Sequence, residues 1–154
     1  MFLTIHAAAG LIIGKYIHNP PLAFLAGFLS HLILDAIPHD PRYSKKWRVN
    51  ENFKFFFIIM FLEAPLMILI GAWLFTIHKL ILNWPTFWAV VGSIILDSLV
   101  GLDWLFPQLK IFSVFNRLNN WIHARFITNY KIPWYAWLPV QLSSLIIFLS
   151  IYIF

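Results

Sequence analysis

Two histidines and four carboxylates stand in stretches that are otherwise apolar: His6, His31, Asp35, Glu63, Asp97 and Asp103. The chain has only six carboxylates, so most of its acid lies in hydrophobic surroundings. A charged side chain at bilayer depth costs roughly 2.5–3.5 kcal/mol on insertion scales, and such groups are seldom idle. Imidazole and carboxylate together form the donor set of zinc, manganese or iron sites. A chain without cysteine offers no thiolate alternative. The same groups could instead relay protons or carry ions.

The tightest motif is Ser30-His31-Leu32-Ile33-Leu34-Asp35. His31 and Asp35 are four residues apart, so a helix presents both on one face and they can chelate one ion from adjacent turns. His6 precedes Ala7-Ala8-Ala9-Gly10, small neighbours that let another helix approach the imidazole. Asp97 follows Ile94-Ile95-Leu96, too deep in its segment for the carboxylate to reach water. His6, His31, Asp35 and Asp97 are therefore the expected metal ligands. Glu63 and His39 are the candidates to accept a proton from a metal-bound water. Glu63 could also be a ligand or a hydrogen-bonding link between helices. Asp103 is six residues after Asp97, about 120° round the helix, and is expected at the edge of the site. His123 is expected at the surface. Lys45, Lys46 and Arg48 could hold a phosphate.

The elements that must position these groups follow from composition. Hydrophobic residues make up 61% of the 154, against about 45–50% in an ordinary soluble domain. That points to a single integral membrane domain over residues 1–154. Apolar segments run over about 2–17, 21–37, 53–77, 85–106 and 133–154, separated by Asn19-Pro20-Pro21, by Pro38 and the polar stretch after it, and by Pro107. Gly10 and Gly14 make a small-xxx-small face suited to close helix packing. Over 109–126, Ile111, Phe112, Phe115, Leu118, Ile122 and Phe126 recur at helical spacing between polar residues, the pattern of a helix lying in an interface. The expected fold is all-α: an integral membrane bundle of about five transmembrane helices plus one amphipathic interfacial helix.

Alternating spans would put Lys15 and Lys79 on one side and the other nine basic residues on the opposite one. The positive-inside rule then makes the second side, with the N-terminus, cytoplasmic. All the deep polar groups fall in the cytoplasmic half, as one site would require. The apolar N-terminus lacks a basic region and a clear cleavage site, so it is not read as a removable signal peptide. The formal charge of +5 suits anionic lipid headgroups better than nucleic acid.

The stretch Thr4-Ile5-His6-Ala7-Ala8-Ala9-Gly10 together with Ser30-His31-Leu32-Ile33-Leu34-Asp35 resembles the small membrane-bound metal-dependent hydrolase family. That family includes the LexA-regulated inner-membrane hydrolases. His31-xxx-Asp35, then Pro38-His39, is more distantly similar to zinc-dependent phospholipases C. The resemblance covers about the first forty residues; the chain has Thr-Ile-His where relatives have Thr-His. It implies a prokaryotic inner-membrane hydrolase with a divalent ion, zinc first and manganese or iron next. The implied substrate is a phosphoester of a phospholipid or isoprenoid phosphate, with membrane lipids as the partners. Two other expectations use the same residues: a metal-ion or proton transporter, and a structural module whose polar groups only lock helices together.

Overall fold

Asparagine and proline set where two of the helices begin. Asn19 Oδ1 accepts the Leu22 N–H at 3.1 Å, with Pro20 in the first turn. Asn83 Oδ1 accepts the Thr86 N–H at 2.8 Å, with Pro85 in the first turn. Each pairing satisfies a donor that the helix itself cannot, and proline gives up an N–H that would have no partner there. The computed structural model describes residues 1–37, 49–81, 83–126 and 134–154. Six helices run in the order α1 (Leu3–Tyr16), α2 (Pro20–Ala36), α3 (Val49–Thr76), α4 (Trp84–Leu105), α5 (Phe112–Phe126) and α6 (Trp134–Ile153), and no strand occurs among the described residues.

Helix α4 is the centre against which α1 and α2 both lie, and glycine makes the approach possible. Gly27 of α2 backs onto the Ala89 carbonyl, and Gly92 of α4 onto the Phe24 carbonyl. A Cβ at either position would collide with that backbone. Gly10 meets Val90 and Ser93, and Gly14 meets Thr86, so the small-residue face of α1 is a packing face on α4. Helices α3 and α6 flank α1, and α5 packs on α4 and α2. An apolar cluster of Ile5, Ala8 and Leu145, joined by Phe2, Ile70 and Phe148, ties α1 to α3 and α6.

The all-helical expectation matches this architecture, but the count of about five transmembrane helices with one interfacial helix is corrected by it. Among the described residues one helix is long and apolar enough to cross a membrane, α4 over Trp84–Asp103. Pro20–Ala36, Phe61–Thr76 and Leu138–Ile153 are apolar but shorter. For α1 and α2 length is the physical reason. The 14 residues of α1 and 17 of α2 rise about 21 and 26 Å at 1.5 Å each, short of a hydrocarbon core of about 30 Å.

Large apolar side chains stand on the outside while several polar ones lie inside beside the apolar core. Leu25, Leu29 and Ile33 of α2 and Leu142, Ile146 and Ile147 of α6 are exposed. His6, His31, Asp35, Glu63, Ser93 and Gln141 are buried. His6, Asp35, Glu63 and Gln141 gather at one end of the bundle, where α1 begins and α2 ends.

Candidate metal centre

Helix spacing places the first pair. His31 and Asp35 share a face of α2, and His31 Nε2 lies 3.2 Å from Asp35 Oδ2. Helix α1 brings His6 Nε2 to 3.1 Å from the other carboxylate oxygen, Asp35 Oδ1. The two imidazoles stack with centroids 4.1 Å apart. Helix α4 supplies Asp97, whose Oδ1 is 3.8 Å from His31 Nε2. His6 and His31 are fully buried and Asp35 nearly so, while Asp97 stands at the edge with its side chain 17% exposed. His6, His31 and Asp97 form a group that could hold a metal ion, their donor atoms all within 4.8 Å of one another.

Hydrogen bonding decides what the central ring can do. His31 Nδ1 is 2.7 Å from the Ser93 carbonyl oxygen. A carbonyl only accepts, so Nδ1 carries the proton and donates it. In the neutral ring Nε2 is then a bare lone pair, facing two carboxylates that are also acceptors. Nε2 is buried and has no hydrogen-bond partner, even with Asp35 at 3.2 Å, because the approach lacks hydrogen-bond geometry. A histidine fixed through one nitrogen by a backbone carbonyl, with the other nitrogen free, is the usual arrangement of a metal ligand. Imidazole and carboxylate donors, with one orphaned nitrogen aimed among them, fit a divalent cation.

Asp35 already attracts positive charge. The Met1 α-amino group lies 2.6 Å from its Oδ1, the same oxygen that meets His6. His6 Nδ1 is buried without a partner, so His6 lacks the backbone anchor that His31 has.

The structure brings together the four residues expected as ligands. Glu63 stands elsewhere in the polar end. Its Oε2 accepts the Thr4 backbone N–H at 3.1 Å and lies 3.4 Å from the Thr4 hydroxyl. Asp103 accepts from Asn116 Nδ2 at 2.7 Å, and Asn116 accepts from Asn120 at 2.8 Å, so Asp103 ties α4 to α5. His39, Lys45, Lys46 and Arg48 lie outside the described residues, as does the side chain of His123. Sequence reasoning missed two contributors. The Ser93 carbonyl is a backbone group and leaves no mark in residue type. Gln141 Oε1 accepts the Phe2 N–H at 3.0 Å. Its amide in the middle of an apolar segment was a signal that could have found it.

No family model, curated protein or solved structure matches this chain.

Proposed function

We propose that this chain is a membrane-associated, metal-dependent hydrolase acting on a phosphoester. The observation that carries the reading is the His31 ring: Nδ1 held by the Ser93 carbonyl, Nε2 buried without a hydrogen-bond partner between Asp35 and Asp97. A purely structural histidine in an apolar bundle would have both nitrogens paired. His6, His31, Asp35 and Asp97 would hold the ion, zinc first for an imidazole and carboxylate donor set, with manganese or iron as alternatives. A bound divalent ion supplies a water of lowered pKa as nucleophile. Asp97, the ligand at the edge, marks the side from which substrate would approach.

A lipid or isoprenoid phosphate is the proposed substrate. The exposed apolar faces of α2 and α6 support residence in lipid, with α4 crossing the membrane and the site toward an inner-membrane cytoplasmic leaflet. A cavity of about 150 Å³ among α1, α3, α4 and α6, walled by Ala7, Leu11, Met67, Leu74 and Leu149, reaches Thr4 near the polar end and would suit an aliphatic chain. The likeness of the first forty residues to membrane-bound metal-dependent hydrolases points the same way.

The test is metal analysis beside turnover. Purified protein should carry about one zinc-class ion per chain. Chelation should lower its melting temperature, because an ion bound only by the folded state stabilises it by mass action. Phosphate or a phosphorylated headgroup should be released from phospholipid or polyprenyl phosphate in detergent. Metal-free protein with an unchanged melting curve overturns the site. Metal-bound protein that moves ions across liposomes and hydrolyses nothing makes it a transporter.

A further inference from the structure

Helix α1 carries His6, yet it has no cap of its own. Its N-cap residue is Phe2, whose side chain accepts nothing. The first turn of any helix leaves backbone N–H groups without partners inside the helix. Here Ile5 and His6 return to the Phe2 carbonyl at 3.0 and 3.3 Å. The remaining donors are taken by other helices. Phe2 N–H donates to Gln141 Oε1 of α6 at 3.0 Å. Thr4 N–H donates to Glu63 Oε2 of α3 at 3.1 Å, and the Leu3 N–H also reaches Glu63. These partners are 139 and 59 residues away in the chain, and both are buried. A carboxylate at this end also meets the positive pole of the helix.

We infer that Glu63 and Gln141 are positioning residues for the metal centre: they cap α1 in trans and so hold His6 at the height where it meets Asp35 and His31. His6 lies two residues beyond Thr4, and its ring has no backbone anchor. The placement of that ring therefore depends on where α1 starts. Glu63 then has no part in proton transfer, since its oxygen is engaged by the helix start. The inference rests on the metal reading above.

The experiment titrates zinc against a competing chelator in the detergent-solubilised full chain and follows the ligand-field absorption of the cobalt(II) form. Glu63→Gln keeps an acceptor oxygen for the Thr4 N–H. It should hold zinc within about threefold of wild type and keep its rate, because loss of an orienting partner and loss of a base differ in what an amide can rescue. Glu63→Ala should lose roughly 10–100-fold in zinc affinity, the size usual for partners that orient ligands, and should alter the cobalt spectrum. Gln141→Leu should do the same more weakly, and it serves if Glu63→Ala fails to fold. A Glu63→Gln protein that keeps zinc but loses about 100-fold in rate makes Glu63 a base and overturns the inference. Loss of zinc in Glu63→Gln makes Glu63 a ligand and overturns the inference as well. Wild-type affinity in both Glu63→Ala and Gln141→Leu overturns the inference alone, whereas a wild type that takes up no zinc overturns the metal reading and this inference with it.

Discussion

The two ends of α1 hold their ionisable side chains differently. At the far end, Lys15 Nζ donates to the Tyr152 carbonyl at 2.9 Å. Tyr152 Oη donates to the Lys79 carbonyl at 3.0 Å and accepts the Ile81 N–H at 3.0 Å. The hydroxyl is used in both directions, and the knot joins α1, α6 and the 77–81 turn. At the near end, His31 Nε2 and His6 Nδ1 are buried without hydrogen-bond partners. An unmade hydrogen bond at a buried group costs about 1–3 kcal/mol. At the far end Lys15 and Tyr152 are partnered, although Thr86 Oγ1, packed on Gly14, has no hydrogen-bond partner. Of the two open ring nitrogens, that of His31 lies between Asp35 and Asp97, in the group that could hold a metal ion.

Removing the central ring should give the largest effect. His31→Ala takes away the anchored nitrogen and leaves Asp35 and Asp97 facing each other. Bound metal should fall from about one ion per chain to near none, measured by elemental analysis after gel filtration. Hydrolysis should fall with it, by about 100-fold or more on the scale of lost metal activation. Retained metal would mean that the near end is a structural knot like the far one.

Asp35→Asn comes next. The amide keeps the shape but removes the charge that His6, His31 and the Met1 amine all approach. Zinc affinity should drop and turnover should fall, with less loss of metal at saturating zinc than in His31→Ala. Equal loss in the two variants would give the carboxylate the same weight as the ring.

The far end should respond in stability alone. Tyr152→Phe deletes a donor and an acceptor, leaving the Lys79 carbonyl and the Ile81 N–H to find water. The expected loss is about 1–3 kcal/mol, read from denaturant unfolding, with zinc stoichiometry unchanged. Gly27→Ala should cost a similar amount, about 1–3 kcal/mol, because the new methyl meets the Ala89 carbonyl. A change in metal content from Tyr152→Phe would couple the ends and remove the contrast between them.

Most of the helix positions were legible, because Asn-Pro starts and apolar runs are local signals. The number of spans was not. An apolar helix of 14 or 17 residues has the same composition whether it crosses a membrane or lies against a longer neighbour, and among the described residues α4 alone joins crossing length to sufficient apolarity. The His31–Asp35 pair was legible from a spacing of four and Asp97 as a carboxylate in an apolar segment, although the structure sets Asp97 at the edge with its side chain 17% exposed, where the segment count puts it out of reach of water. His6 was legible as a residue type, but its register against Asp35 depends on a helix start held by Glu63 and Gln141. The burial of Glu63 was legible too, while its partners, the N–H groups at the start of α1, carry no residue signature. The same is true of the Ser93 carbonyl that sets the His31 tautomer.

That carbonyl permits a small effect to be separated from a large one at a single position. Ser93 lies at the heart of the contact between α1, α2 and α4, yet its hydroxyl only back-bonds to the Val90 carbonyl at 2.8 Å. Its backbone oxygen anchors His31. Ser93→Ala removes the hydroxyl and keeps the carbonyl. Stability should move by no more than about 0.5 kcal/mol, since a hydroxyl bonded within its own helix contributes little to it. Zinc affinity should stay within about twofold, because the second partner of the ligand is intact. Ser93→Pro would lack an N–H rather than a carbonyl, so it would break α4 without testing the anchor; the alanine variant is the informative one. Should Ser93→Ala release the metal, the hydroxyl and not the carbonyl would be what orients His31, and the tautomer assigned to the ring would have to be reversed.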